Sequence, residues 1–328
     1  MSTAPIVTVA IPTRNRADLL LETLESLRAQ TRTDWEAVVV DDRSTDHTAE
    51  AVRTRYGNDS RVRFLIRQGE TAGAPACRNQ GMREGRGRYV IFLDSDDLLM
   101  PHCLERRVAL LETRPDVDYA VFQGELFAER PGDLGKPWNR FTDEPDLDRF
   151  LKRDVPWQTS GPIWTRAGLE KLGEWDESLI CWQDYDFHIR SVILGMRYEK
   201  VESADYLIRR SPNVSDNIHL QNSTPAHLKT RLRLLRKITN ELRARGRYDR
   251  HTRHLLTFAF LALAREWIYR LGNREEARKA WEECLEEGVV DAVRFREGAF
   301  GLKYMEARRG LTPLYNAYLN WRWASESR

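Results

Sequence analysis

Residues 89–97 read YVIFLDSDD, a short apolar run followed directly by three carboxylates in four positions, Asp94, Asp96 and Asp97. An apolar run of this length, with β-branched and aromatic residues, is typical of a buried strand. Carboxylates packed this closely repel one another, and a divalent cation or a hydrogen-bonding ligand can compensate them. Because acids also favour a helix start, a helix-capping cluster is the alternative interpretation.

The sequence around this run alternates short apolar runs with segments of helical period, from Ile6 to Phe122. Such alternation predicts βαβ units and a mainly parallel sheet. A second run, Trp35 to Val40, also ends in two acids, Asp41 and Asp42. Open α/β sheets bind ligands outside the carboxyl ends of their strands, so we expect the functional site where these acids lie.

Further elements follow from the same patterns. The region 124–156 is rich in Pro, Gly and acids and is interpreted as an excursion or lid. We expect strands near Tyr198 and Tyr206 to end the first domain. Helices are predicted at 17–30, 74–84, 101–112 and 183–194, and strands at 6–11, 62–66 and 117–122.

From Pro225 onward the sequence is helical in character, with strong helix formers and few glycines. We therefore expect two domains, residues 1–224 and a helical extension over residues 225–328. The segment 225–254 holds ten Lys and Arg against Glu241 and Asp249, a local charge of +8. Such a segment fits a solvated helix face, or docking on an anionic membrane or a protein partner.

Composition limits the class of protein. The 52 Lys and Arg residues nearly balance 50 Asp and Glu, so no nucleic-acid partner is expected. The longest strongly apolar stretch, 255–264, is about half of the ~20 residues that span a bilayer. The N-terminal apolar segment has no basic leader. These patterns predict a cytoplasmic protein, peripheral to the membrane if the basic segment docks there.

The usual phosphate-binding loops are missing. No G-x-G-x-x-G follows the first strand, and the stretch 132–136 is too short for a P-loop, so a dehydrogenase or P-loop kinase is disfavoured. Arg78 lies on the helix between the two acidic strand ends, and its guanidinium offers a fork of donors. The acids and Arg78 together suit a nucleoside diphosphate.

Four ordered blocks, between Val7 and Arg210, resemble the inverting nucleotide-sugar glycosyltransferases of family 2. The blocks are VAIPTRNRADLLLETLESLRAQT, WEAVVVDDRSTDHT, GAPACRNQGMREGRGRYVIFLDSDDLLMP and LGEWDESLICWQDYDFHIRSVILG. The resemblance implies the GT-A fold: a Rossmann-like α/β/α sandwich with a mainly parallel sheet, here carrying the all-helical C-terminal extension.

The resemblance also implies a donor site. Asp94 is expected to meet the ribose, and Asp96 to hold Mn²⁺ or Mg²⁺ on the diphosphate. The implied nucleotide-sugar pocket consists of Pro12, Arg14, Asp41, Arg78, Asp94 and Ser95.

Asp184 occupies the family's position for the catalytic base, which deprotonates the acceptor hydroxyl. In-line attack by that hydroxyl needs no enzyme nucleophile, in keeping with the lack of a Ser/His or Cys/His signature. Gln183 departs from the family, which usually has Glu there, and this puts acceptor contacts or the pKa of the base in doubt.

Four residues near this base are candidates for acceptor binding: Trp157, Trp182, Gln183 and His188. Flat indole faces suit sugar rings, although core packing is the default interpretation for tryptophan. His188 follows Asp184 by four residues, and a structural role is its alternative interpretation. His219 falls where some members of the family place a metal ligand.

The sequence therefore predicts a metal-dependent inverting enzyme that moves one sugar from a nucleoside-diphosphate sugar, with UDP the family's commonest carrier. The acceptor would be a hydroxyl in glycan or glycolipid assembly. The processive Gln-x-x-Arg-Trp signature is missing, so single transfer is expected. The alternatives are a nucleotidyltransferase, which would release pyrophosphate, and a non-catalytic glycan-binding or scaffolding relative.

Overall fold

The computed structural model describes residues 4–210, 224–304 and 312–325. The chain divides into two compact units, residues 1–143 with 155–216, and residues 144–154 with 217–328. The domain boundary between residues 224 and 225 remains a prediction. The structure groups segment 144–154 with the second unit. His219 lies outside the described residues.

The first unit contains a mixed sheet with helices on its faces. Its elements, in chain order, are β1 (Val7–Thr13), α1 (Ala17–Arg28), β2 (Trp35–Asp41), α2 (Thr48–Tyr56), β3 (Val62–Ile66), α3 (Ala74–Glu84), β4 (Tyr89–Phe92), β5 (Leu98–Leu99), α4 (Cys103–Thr113), β6 (Tyr119–Phe127), β7 (Lys136–Pro137), β8 (Pro162–Thr165), α6 (Arg166–Leu172), α7 (Gln183–Ile193) and β9 (Tyr198–Arg209). Helix α5 (Asp146–Leu151) belongs to the second unit.

Among the described residues, the sheet has nine strands; eight follow the order β3-β2-β1-β4-β8-β6-β9-β5, and β7 pairs with β6. Strand β1 is parallel to β2 and β4, and β2 is parallel to β3. Thr13 pairs with Asp41, and Ala10 pairs with Phe92. The carboxyl ends of β1, β2 and β4 therefore meet at one edge of the sheet, as the sequence predicts.

Burial on both faces explains why these strands read as continuous apolar runs. Every residue of β1 and β2 is buried, which is typical of parallel strands covered by helices. Helix α3 packs directly on β1 because Gly81 has no side chain; a Cβ there would lie 2.9 Å from the Cβ of Ala10. This close approach places α3, and with it Arg78, beside the acidic edge.

One prediction is wrong at the end of this unit. The strands expected near Tyr198 and Tyr206 are one strand, β9, which runs parallel to β6. Exposed Glu202 and Ser203 interrupt its apolar pattern in the middle. The pairing with β6 shifts register beside Gln123, as a β-bulge does, so a single strand accommodates the polar interruption.

The second unit is helical. It comprises α5 with α8 (Pro225–Ala244), α9 (Arg250–Leu271), α10 (Arg274–Glu286), α11 (Ala292–Tyr304) and α12 (Thr312–Ser325). Thr224, Asp249 and Asn273 cap α8, α9 and α10 through side-chain oxygens, as helix starts favour. Within the described ranges, none of the helices has both the length and the apolar character needed to cross a membrane.

Candidate active site

Two loops meet where β1 and β2 end. Asp41, the last residue of β2, accepts hydrogen bonds from the backbone N–H and the hydroxyl of Ser44. Asn15, with φ 51°, accepts a bond from the Thr45 backbone N–H at 2.7 Å and donates its own N–H to the Ser44 hydroxyl at 2.8 Å. These bonds hold the loop after β1 against the loop after β2. Pro12 lies in β1, beside this junction.

The turn after β4 alternates between the protein interior and the surface. Ser95 and Asp97 are buried, whereas the carboxylates of Asp94 and Asp96 keep about a third of their surface exposed, 33% and 28%. Two of the three acids therefore reach the protein surface, and the third faces inward. This arrangement contradicts a simple helix-cap cluster, since the next helix, α4, begins only at Cys103.

Asp97 fixes the turn from within. Its carboxylate accepts bonds from the Gln158 amide at 2.8 Å and the Ser160 hydroxyl at 2.7 Å. The same hydroxyl accepts the backbone N–H of Asp94 at 3.3 Å. Burial, together with the charges of the neighbouring acids, raises the pKa of Asp97 well above its usual range. Asp97 is thus a structural anchor for the two exposed carboxylates.

Arg78 is the counter-ion of Asp94. Its Nη2 lies 2.7 Å from Oδ1 of Asp94, and its guanidinium carbon lies 4.6 Å from the ring centre of Trp175. Nε and Nη1 of Arg78 are buried, and neither has a hydrogen-bond partner within the part of the chain that the structure describes. Buried donors without partners are costly, so the site suits an anionic ligand that would accept from them.

Asp96 is paired with a different arginine. Nη1 of Arg16 lies 2.6 Å from Oδ2 of Asp96. Partial burial raises the pKa of Asp96, the charge of Asp94 raises it further, and Arg16 opposes both effects. A carboxylate whose ionised form is disfavoured in this way is suited to hold a cation.

The donor set fits a divalent cation only in part. Across residues 4–210, 224–304 and 312–325, no three His, Cys, Asp or Glu side chains converge as a metal centre. Mg²⁺ and Mn²⁺ are nevertheless bound in many sites by one or two carboxylates, with water and substrate phosphates as the remaining ligands. Asp96, with Asp94 beside it, supplies that smaller set.

Asp184 lies in the first turn of α7 and is partly exposed. The residue before this helix, Trp182, has φ 57°, a left-handed backbone that is strained for a tryptophan. One turn beyond Asp184, the Phe187 ring stacks on Trp175 at 4.0 Å and packs edge-on against Phe92 of β4 at 5.6 Å. The start of α7 is therefore fixed to the strand that delivers Asp94 and to the aromatic partner of Arg78.

The four acceptor candidates differ in exposure. Trp182 and Gln183 are partly exposed, and Gln183 donates to the Leu179 carbonyl at 3.1 Å. Trp157 and His188 are buried in the core, at 1% and 0% exposure. The acceptor roles stay predictions, and in this structure the two core residues offer no surface to a sugar.

His188 is enclosed by aromatic rings. It lies parallel to Trp164, with ring centres 6.1 Å apart, and edge-on to Trp157, Trp175 and Phe187. Neither ring nitrogen has a hydrogen-bond partner within the described ranges. Burial, with the positive charges of two arginines nearby, lowers the pKa of His188 to about 3. The folded protein therefore holds this imidazole neutral.

Replacing His188 by phenylalanine should weaken the acid sensitivity of the fold. The unfolded chain binds a proton on His188 near pH 6.5 and the folded chain only near pH 3, so wild-type stability falls as the pH drops between these values. Between pH 7 and 5 we expect the wild type to lose about 2 kcal/mol more than His188→Phe. Urea unfolding followed by the fluorescence of the surrounding tryptophans measures this, and equal losses would contradict it.

Some residues of the site were not predicted from the sequence. Arg16 lies in the quoted block after β1, but nothing in the pattern singles it out, because its partner Asp96 is 80 positions away. Ser160 and Gln158, which anchor Asp97, lie more than 60 positions from it along the chain, and no motif in the sequence singles them out. Conservation of these two polar residues in an alignment of the family is the signal that could have identified them.

Comparisons with known proteins agree with this geometry. The family model "Glycosyl transferase family 2" matches residues 8–172, half of the chain. The putative teichuronic acid biosynthesis glycosyltransferase TuaG of Bacillus subtilis is 34% identical over 154 residues, which are 46% of this chain and 59% of TuaG. The match covers 74% of the putative colanic acid biosynthesis glycosyl transferase WcaA of Escherichia coli but only 18% of an Escherichia coli chondroitin synthase.

Solved structures show the same fold. TarS of S. aureus, residues 1–349 in complex with UDP-GlcNAc, aligns with a TM-score of 0.59 at 16% identity, over 90% of this chain and 91% of that one. The mannosyltransferase PcManGT of Pyrobaculum calidifontis, in complex with GDP-Man and Mn²⁺, aligns with a TM-score of 0.55 at 20% identity, over 97% and 85%.

These likenesses confirm the predicted GT-A type α/β fold with its helical C-terminal region. The matched range includes the acidic turn after β4, all of β2 and all of β1 except its first residue, whereas α7 lies beyond it. The chain belongs to glycosyl transferase family 2.

Proposed function

We propose that this protein is a metal-dependent inverting glycosyltransferase, which moves one sugar from a nucleoside-diphosphate sugar to a hydroxyl acceptor. One observation carries the proposal: two partly exposed carboxylates, Asp94 and Asp96, follow β4 at the edge where β1 and β2 also end, each paired with an arginine. Such an edge is where open α/β sheets bind nucleotides.

The donor would bind along this edge. The Asp94 carboxylate would accept a hydrogen bond from the ribose, and Nε and Nη1 of Arg78 would donate to the diphosphate. Both nitrogens are buried without partners within the described residues, which supports an anionic ligand there. Pro12, Asp41 and Ser95 would shape the nucleotide pocket, together with Arg14. The Arg14 side chain is exposed, and its Nη1 lies 3.8 Å from Oδ2 of Asp42.

Asp96 would hold Mn²⁺ or Mg²⁺, which neutralises charge on the departing nucleoside diphosphate. The support is the chemistry of the donor set: a carboxylate whose ionised form burial and a neighbouring acid disfavour. The presence of Mn²⁺ in the PcManGT complex agrees with this proposal.

Asp184 would act as the base. Its carboxylate would take the proton of the acceptor hydroxyl as that oxygen bonds to the anomeric carbon, while the bond from this carbon to the diphosphate oxygen breaks. A single displacement of this kind inverts the anomeric configuration. Gln183 beside it is neutral, so the base lacks the adjacent negative charge that the family's usual Glu would supply.

The donor carrier that we propose is UDP, in line with the UDP-GlcNAc of the TarS complex. The acceptor that we propose is a hydroxyl of a growing glycan or glycolipid, in line with the name of TuaG. Trp182 and Gln183, which are partly exposed at the start of α7, are the better placed acceptor contacts. Transfer of one sugar per encounter stays part of the proposal.

The helical extension, residues 225–328, is proposed as a separate domain. Peripheral membrane contact through its basic segment, and a cytoplasmic location, stay predictions. Ion pairs and hydrogen bonds within the unit occupy part of that charge, among them Arg236 with Glu283 and Arg253 with Asp291. These contacts favour the interpretation of the segment as a solvated helix face.

Thermal shifts of the purified protein test the proposal. We expect UDP or UDP-sugars, rather than GDP, dTDP or CMP compounds, to raise the melting temperature only when Mn²⁺ or Mg²⁺ is present, since a ligand that binds the native state stabilises it. No shift with any diphosphate would favour the non-catalytic relative. A shift with nucleoside triphosphates, with release of pyrophosphate, would favour the nucleotidyltransferase.

A further inference from the structure

Arg16 occupies a position where its residue type is unexpected. It is the N-cap of α1, and its side chain makes no capping hydrogen bond. Helix starts favour Ser, Thr, Asp or Asn, and a positive charge is disfavoured there by the helix dipole. A residue that breaks a local rule without a local benefit often serves a functional site.

The Arg16 side chain bonds a residue 80 positions away along the chain. Nη1 of Arg16 bonds Oδ2 of Asp96 at 2.6 Å, and this is the one hydrogen bond of the Arg16 side chain within the described residues. Two other arginines at the acidic turn do not bond the Asp96 carboxylate. Arg78 bonds Asp94, and Arg209 bonds Glu22 and the backbone carbonyl of Asp96. Arg16 is 31% exposed at its side chain, so it has room to change partner.

We infer that Arg16 is an exchangeable counter-ion: it holds Asp96 in the ligand-free protein and transfers to the phosphates of the nucleoside diphosphate when a divalent cation takes this carboxylate. The inference rests on the proposed function. Nη1 of Arg16 already occupies Oδ2 of Asp96, so a cation that binds this oxygen competes with the guanidinium for it.

This exchange couples the two ligands. A cation that takes Oδ2 of Asp96 without nucleotide displaces the Arg16 guanidinium and leaves it without this partner. When the nucleotide is present, its phosphates accept the released guanidinium, so the loss is offset. Each ligand should therefore strengthen the binding of the other by the same factor, as linkage requires.

The test is a binding cycle with Mn²⁺ as the probe. Free Mn²⁺ is measured by electron paramagnetic resonance, once without nucleotide and once with a saturating nucleoside diphosphate. The nucleotide used is UDP or GDP, whichever gives the larger metal-dependent thermal shift. In Arg16→Gln we expect Mn²⁺ alone to bind about three- to tenfold more tightly, and the enhancement by nucleotide to shrink by about tenfold. A misfolded variant would not gain affinity.

The matched control is Arg28→Gln, which removes the same charge from the last turn of the same helix, where Arg28 pairs with exposed Glu25. This variant should behave as wild type. If Arg16→Gln gained the same factor in Mn²⁺ affinity with and without nucleotide, loss of a nearby positive charge would explain the gain, and the exchange would be refuted. Unchanged or weaker binding of Mn²⁺ alone would also overturn the inference.

Failure of the proposed function has a different signature. If the wild-type protein bound neither UDP nor GDP in the presence of Mn²⁺, the donor site itself would be refuted, and the inference with it. If the wild type bound Mn²⁺ and nucleotide cooperatively but Arg16→Gln kept the full coupling, the donor site would stand and only the role of Arg16 would be lost.

Discussion

Asp96→Ala is expected to reduce sugar transfer by about a thousandfold or more and to remove the metal dependence of nucleotide binding. Asp96 is the partly exposed carboxylate proposed to hold the cation, and its ionised form is disfavoured by burial and by Asp94 until a positive charge compensates it. Without this ligand, the charge that develops on the departing diphosphate would lose its compensation. Initial rates of nucleoside-diphosphate release, and UDP affinity with and without Mn²⁺, measure the two effects.

The matched control is Asp116→Ala. Asp116 is exposed and pairs with Arg114, two positions before it, so its removal changes the same charge without touching the acidic turn. This variant should keep wild-type rates. If Asp96→Ala still bound UDP more tightly with Mn²⁺ than without it, the cation would be held by other residues, and the pairing of Asp96 with Arg16 would have only a structural meaning.

The sequence predicts the parallel half of the sheet well because its signal is local. Strands such as β1 and β2 are buried on both faces, so they appear as unbroken apolar runs, and the amphipathic helix α1 buries Leu20, Leu24 and Leu27 at helical spacing. The prediction fails where the decisive contacts are distant. Nothing within β9 reveals that its two apolar halves form one strand along β6, and nothing within 144–154 shows that it packs with the second unit.

The site divides in the same way. The acidic turn is predicted from its own residues, but the partner of each acid depends on topology, which brings Arg16 to Asp96 and Arg78 to Asp94. Exposure is equally hard to predict along α7. The spacing of four residues places His188 on the same helical face as Asp184. Asp184 is nevertheless partly exposed and His188 is in the core, because the helix enters the aromatic cluster after its first turn.

Asp184→Asn is expected to reduce the turnover number by about a thousandfold or more while it leaves the affinity for UDP and Mn²⁺ within about twofold. The amide keeps the size of the carboxylate, so the start of α7 and its packing through Phe187 should persist. Only the capacity to accept the proton of the acceptor hydroxyl is removed. Steady-state rates and the UDP titration, with Asp116→Asn as the matched control, separate this loss from damage to the donor site.

Full activity of Asp184→Asn would require another base near the acceptor, and the neighbours on α7 are poorly suited to replace it. Asp186 is buried, and its Oδ2 accepts from Nε of Arg190 at 3.0 Å. His188 is enclosed by rings, and a pKa of about 3 makes it a weak proton acceptor. The base would then have to come from outside this helix, and the assignment of α7 as the acceptor side of the site would fall with it.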